Sequence, residues 1–370
     1  MTKPTMLDYV HETPAVLRRQ RESGCASHLA AVFCAGTYDT VRIVACGSSR
    51  NAAHIAQAYL RSMLACEVLI TEPYTFSVYE HQLPDTEFCF VISQSGYSTN
   101  ALDALDAMRA AGRTAIGVTG DVHSDFHAAA DVLIDYGVGE EQVGYVTKGV
   151  ASLVFFLWLF GIEVARRKGD LTVASQRKEL DALAWTIEQF ERVCDAVPAV
   201  LQARYKELSS MERAFLCGAG PNYGVAREGA LKYAETLQFP AQPLELEEYL
   251  HGPNLQLDPT YTVFINAVGE RVWRRAEQII DATKLVTDHV FVLTDDPACT
   301  EADIHIGTLD KRQRHPALDV LLPLALLPFY QITAYQLTED KHLWHKHPLV
   351  AAFDRALSGK SEHYVDKEVI

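Results

Sequence analysis

Two stretches of the chain repeat one pattern of apolar and polar positions. VRIVACGSSRNAAHIAQAYL (41–60) opens with a β-branched run, turns at a glycine, and continues with apolar residues three and four apart. RAFLCGAGPNYGVAREGALKYAE (213–235) has the same order, and Cys46 and Cys217 hold equivalent places 171 residues apart. The parallel continues downstream. FCFVISQSG (88–96) matches YTVFINAVGE (261–270), and helical ALDALDAMRAAG matches RRAEQIIDATKLV. TAIGVTGD then matches HVFVLTDD, and DVLIDYG matches DIHIGTLD. Short, almost wholly apolar strands alternating with helices of ten to fifteen residues predict parallel sheets covered on both faces. The expected fold is α/β, two tandem units, each a parallel sheet flanked by helices in three layers. The domains are placed at 1–170 and 171–370, with the polar, helix-period segment 171–212 as the connector. The apolar run Ala151–Ile162, too short to cross a bilayer, reads as a buried helix between the halves.

Composition narrows the function. A net charge of −15 argues against nucleic acid and anionic lipid as partners. The eight cysteines form no CxxC pair, and Cys46, Cys89 and Cys217 lie in apolar runs and read as small buried residues. The N-terminus lacks the apolar core of a signal peptide. The expected location is the cytoplasm.

Candidate chemistry falls in two places. The first half carries Gly47-Ser48-Ser49 and Ser93-Gln94-Ser95-Gly96-Tyr97-Ser98-Thr99 at predicted strand ends, each running into a helix. Ligands of open α/β sheets gather at strand carboxyl ends, and helix N-termini favour anions, so hydroxyl donors there suit a phosphate with no fixed charge. Serine and threonine are also ordinary N-caps. The corresponding second-half turns, Gly218-Ala219-Gly220-Pro221 and Ala267-Val268-Gly269, lack hydroxyls, and the lone GxG lacks the further residues of a dinucleotide site.

The second place is EGALKYAETLQFPAQPLELEEYLHGP (228–253). Glu228, Lys232 and Glu235 share one helical face at i, i+4 and i+7, and His251 follows after a proline-broken segment that can turn back toward it. A carboxylate base beside a histidine able to protonate an oxygen suits sugar enolisation. The same Glu–Lys spacing also describes a common helix ion pair. His342, His345 and His347 have no standard metal spacing, and His81, His123, His127 and His315 lack a supporting constellation. No metal or other cofactor is expected.

CGSS, ISQSGYST, VGYVTKG (143–149), EGALKYAE and EYLHGP together resemble double SIS-domain (sugar isomerase) proteins. These include the isomerase half of glucosamine-6-phosphate synthase and, by EPYTFSVYE (72–80) and FDRAL (353–357), bacterial fructoselysine and glucoselysine phosphate deglycases. The resemblance covers about residues 40 to 360. It implies that Ser48, Ser49, Ser93, Gln94, Ser95 and Ser98 bind the phosphosugar and that Gly144 offers a backbone contact. It makes Glu235 the base between C1 and C2, with Glu228 and Lys232 in support, and His251 the ring-opening residue contributed across a homodimer. Lys232 neutralises Glu235, contacts substrate, or forms a structural pair.

The chain departs from the synthase in three ways. It shows no glutaminase segment. Tyr97 replaces an acid. Lys360 and Lys367 lie in the tail where the synthase has its Schiff-base lysine, but in an unmatched local sequence. The implied function is an isomerase or deglycase of a phosphorylated amino sugar or sugar–amino acid adduct. A ketose/aldose phosphosugar isomerase and a phosphosugar-sensing regulator are the alternatives.

Overall fold

The computed structural model describes residues 3–307, 315–345 and 347–365. They form two compact units. One comprises 15–176 with the tail from 345 onward, the other 177–344 with 6–14. The division therefore differs from 1–170 and 171–370 in assigning the tail and 171–176 to the first unit and 6–14 to the second.

The first unit holds β1 (Thr40–Val44), β2 (Glu67–Thr71), β3 (Glu87–Ile92), β4 (Ile116–Thr119) and β5 (Val132–Asp135), all parallel in the order β2-β1-β3-β4-β5. The second holds β6 (Ala214–Gly218), β7 (Ala241–Glu245), β8 (Thr262–Ala267), β9 (Val290–Thr294) and β10 (Ile304–His305). Their parallel order, β7-β6-β8-β9-β10, repeats the first. The central strands β3 and β8 are buried at every position, as a sheet covered on both faces requires. Strand order reverses between β1 and β3, and again between β6 and β8. The turns after those strands are where such sheets bind ligands.

The apolar run 151–162 lies within a 21-residue helix, Lys148–Lys168, buried over 94% of its most apolar window. That helix and Leu318–Lys341 are long and apolar enough to cross a membrane, but most of each is buried in the folded chain. Lys148–Lys168 packs on the helices Gly47–Leu64 and Ser27–Cys34 of the first unit, so it is a core element of that unit rather than a divider. Its apolar character on all sides follows from having neighbours on all sides. The segment expected as a connecting helix is Val173–Ser209, with non-helical dihedrals at Arg204.

Cys89 and Cys217 are buried, and burial pushes both thiols above their ordinary range. Cys46 is exposed, contrary to expectation. It lies past the end of β1 as the N-cap of Gly47–Leu64, where the chain has already left the sheet.

Candidate functional site

Residues 93–98 leave β3 and enter the helix Thr99–Ala110 through a tight turn. Gly96 sits at φ +69°, and a Cβ there would fall 1.8 Å from Ser124 Oγ, so the turn needs a glycine. Gly96 N–H donates to Ser93 Oγ (3.2 Å), Ser93 Oγ donates to Ser98 Oγ (3.3 Å), and Tyr97 N–H donates to Ser95 Oγ (3.3 Å). On the neighbouring strand, Ser48 is buried in the first turn of Gly47–Leu64 and Ser49 is half-buried. Both hydroxyl groups of residues thus follow adjacent strands, with Val44 paired to Val91 in register.

The tail completes this region. Lys360 Nζ donates to Ser95 Oγ (2.8 Å) and Ser98 Oγ (3.1 Å). Ser98 and Lys360 form an antiparallel bridge, with Thr99 N–H on Gly359 O (3.1 Å) and Ser361 N–H on Tyr97 O (2.9 Å). The Tyr97 and Tyr364 rings lie 5.7 Å apart, and His363 Nδ1 is 3.0 Å from Asp125 Oδ1. Burial pulls the Lys360 ammonium below its ordinary value. The hydroxyl cluster therefore does carry a nearby cation, contrary to the expectation from its turns alone. Of the two tail lysines, Lys360 is on the cluster, whereas Lys367 lies outside the described residues.

Glu141 gave no separate signal in the sequence. Its Oε1 accepts Thr147 N–H (2.9 Å) and Lys148 N–H (2.8 Å), and its Oε2 accepts Gly149 N–H (3.3 Å) and the Gln94 amide. Burial pushes this carboxyl up, while its donors from Gln94, Thr147 and Lys148 pull it back. It anchors the loop carrying Gly144, which is exposed, at the start of Lys148–Lys168. A carboxylate there also meets the positive end of that helix.

In the second unit, Glu228 and Lys232 are wholly buried on the helix Pro221–Thr236. Lys232 Nζ stands 3.5 Å from Glu228 and 2.6 Å from Glu235, whose side chain is 32% exposed. Lys232 is therefore a buried ion-pair partner, and Glu235 is the member of the set open to solvent. His251 lies in an exposed turn between two short 3₁₀ segments. Among the described residues it makes no hydrogen bond or ion pair to Glu235, so the chain does not turn its ring back onto that carboxylate as the spacing suggested. His347 Nδ1 accepts Leu349 N–H (3.2 Å) and caps the helix Pro348–Ala356.

A parallel sheet with hydroxyl-lined turns at its switch point defines the class as an open α/β protein with a candidate ligand-binding turn. Residues 38–162 match the SIS domain family profile. Over 352 residues the chain is 25% identical to a glutamine–fructose-6-phosphate aminotransferase of Gloeobacter violaceus, covering 91% of this chain and 56% of the relative. It thus spans about half the length of the curated relatives it matches.

Two solved structures share the fold. A candidate phosphosugar isomerase of Clostridium difficile 630 has TM-score 0.84 and 22% identity, covering 97% of this chain and 99% of the other. The C-terminal domain of glucosamine-fructose-6-phosphate aminotransferase from Francisella tularensis has TM-score 0.80 and 19% identity, covering 92% and 97%. The sequence match thus places a SIS domain at residues 38–162, and the two solved structures share the fold of the chain.

Proposed function

We propose that this protein is an enzyme acting on a phosphorylated amino sugar or sugar–amino acid adduct, cleaving or isomerising it by proton transfer between C1 and C2. Two observations support this reading: a hydroxyl-and-lysine cluster at the switch point of the first unit, and, within the second unit, one partly exposed carboxylate, Glu235, on a buried ion-pair network. Ser48, Ser49, Ser93, Ser95 and Ser98 hold the phosphate, with Lys360 beside it. Gly144 contributes a backbone contact.

Glu235 removes the proton from the amine-bearing C1 of an open-chain 2-keto adduct and returns it at C2, passing through an enaminol. Water then adds to the resulting C1 imine, the C–N bond breaks, and a free amine and an aldose phosphate leave. Glu228 and Lys232 hold Glu235 in place. His251 assists ring opening by proton transfer at the ring oxygen, contributed by the neighbouring subunit of a homodimer. Its exposed position supports that assignment. The same base, acting on a substrate without the amine, passes through an enediol and gives a ketose/aldose isomerase.

The test is a coupled assay of purified protein with fructose 6-phosphate, glucosamine 6-phosphate and 6-phosphorylated fructosyl- and glucosyl-amino acids. Release of amino acid with hexose phosphate is expected. Isomerisation without amine release selects the second reaction, and binding without turnover makes the protein a phosphosugar sensor. Mixing Glu235→Gln and His251→Ala variants checks the shared site, because one complete site per mixed dimer forms only if His251 acts across subunits.

A further inference from the structure

Gln94 lies between Ser93 and Ser95 in the first-unit turn, and its amide is not free to turn. Its Nε2 donates to Glu141 Oε2, and Glu141 also accepts three backbone N–H groups, from Thr147, Lys148 and Gly149. A carboxylate so engaged acts as an acceptor, so the amide nitrogen must face it and the amide oxygen must face away. A second contact acts on the same group. A Cβ on Gly149 would lie 2.2 Å from Gln94 Oε1, 2.3 Å from Nε2 and 2.4 Å from Cδ, so the amide rests on the bare face of that glycine. Gln94 keeps partial exposure, and among the described residues its Oε1 accepts no hydrogen bond.

We propose that Glu141 and Gly149 are positioning residues that fix Gln94 as a hydrogen-bond acceptor, so that it reads a hydroxyl or amine hydrogen on the sugar and not the phosphate. An amide oxygen repels an ionised phosphate oxygen and attracts an O–H or N–H. The serine hydroxyls and Lys360 supply the donors an anion needs, and Gln94 supplies selectivity for the carbon chain attached to it. This inference rests on the phosphosugar reading above.

The experiment is calorimetric binding of inorganic phosphate and of fructose 6-phosphate to the full-length wild type, Glu141→Gln, Gly149→Ala, Gln94→Ala and the Glu141→Gln/Gln94→Ala double variant. Glutamine at 141 turns an acceptor toward Gln94 into a donor, so the Gln94 amide flips and presents its nitrogen to the ligand. Alanine at 149 displaces the same amide by contact. Each single variant should lose roughly tenfold in affinity for fructose 6-phosphate, the scale of one hydrogen bond with a group left unpaired. Affinity for inorganic phosphate should stay the same or rise.

The double variant should bind the sugar phosphate no worse than Gln94→Ala, because Glu141 acts through Gln94. Additive losses, or equal losses for both ligands, overturn the assignment and leave Glu141 as a loop anchor. A wild type that binds neither ligand overturns the phosphosugar reading and this inference with it. If Glu141→Gln does not fold, Gly149→Ala and Gln94→Ala still decide the matter by whether their losses fall on the sugar phosphate alone.

Discussion

The two switch points have the same strand order and different equipment. In the first unit, residues 93–98 separate β3 from its following helix and carry three serines, with Lys360 on two of them. In the second, residues 268 and 269 alone separate β8 from Glu270–Lys284, and the turn is closed from inside. Asn222 pins it, donating to Val268 O (3.0 Å) and accepting Val268 N–H (3.1 Å). Buried Asp295 accepts Gly269 N–H (2.8 Å) at the head of the helix. The matching position after β4 is Gly120, which has no side chain to offer. An internal carboxylate stands at the second helix end, and the matching position in the first unit supplies none. Asn51 holds the place of Asn222 relative to the aligned cysteines, so the asparagine belongs to the shared plan and the aspartate is the difference. The two units keep one topology, and a few side chains leave one switch point lined with hydroxyls and the other a closed joint.

This contrast can be broken at its functional end first. Glu235→Gln should cut turnover on the order of 10²–10⁴-fold, while calorimetry finds phosphosugar affinity within about twofold. Equal loss of both would remove Glu235 from the chemistry.

Next comes the network behind it. Lys232→Met takes the cation from between Glu228 and Glu235 and should cost about 3–5 kcal/mol in urea denaturation. A cost under about 1 kcal/mol would mean the pair is solvated.

The closed joint and the open one should then respond in opposite ways. Asp295→Gly, the first half's residue at that position, should cost about 1.5–3 kcal/mol of stability and leave phosphate affinity alone. Ser95→Ala should cost under about 1 kcal/mol of stability but lower phosphosugar affinity roughly tenfold. Matching profiles for the two variants would erase the distinction between the open turn and the closed one.

The smallest effect is a pH dependence of the docked tail. Burial holds Lys360 below its ordinary 10.5, so the unfolded chain takes up that proton more readily than the folded one. Its contribution to stability is full above 10.5 and fades as pH falls through the depressed value. Lys360→Met should flatten that alkaline rise in the denaturation midpoint, and an unchanged slope would place Lys360 away from the serines.

What the sequence determined by itself was local or periodic. The apolar runs of β3 and β8 announced strands buried on both faces, and the repeated strand–turn–helix order announced two copies of one sheet. The spacing of Glu228, Lys232 and Glu235 put them on one helical face, since 3.6 residues per turn leaves no other arrangement. The serine turns were legible because strand ends and helix starts bracket them.

The rest was decided by contacts between residues far apart in the chain. Lys360 meets Ser95 from 265 positions away, and nothing in either local sequence encodes that approach. Glu141 becomes the anchor of Gln94 because the loop before Lys148–Lys168 folds over β3's turn. Which carboxylate of the helix stays open to solvent, and whether Cys46 is covered, depended on what packs above each position. Periodicity assigns a face to a residue, and tertiary packing assigns that face its neighbours.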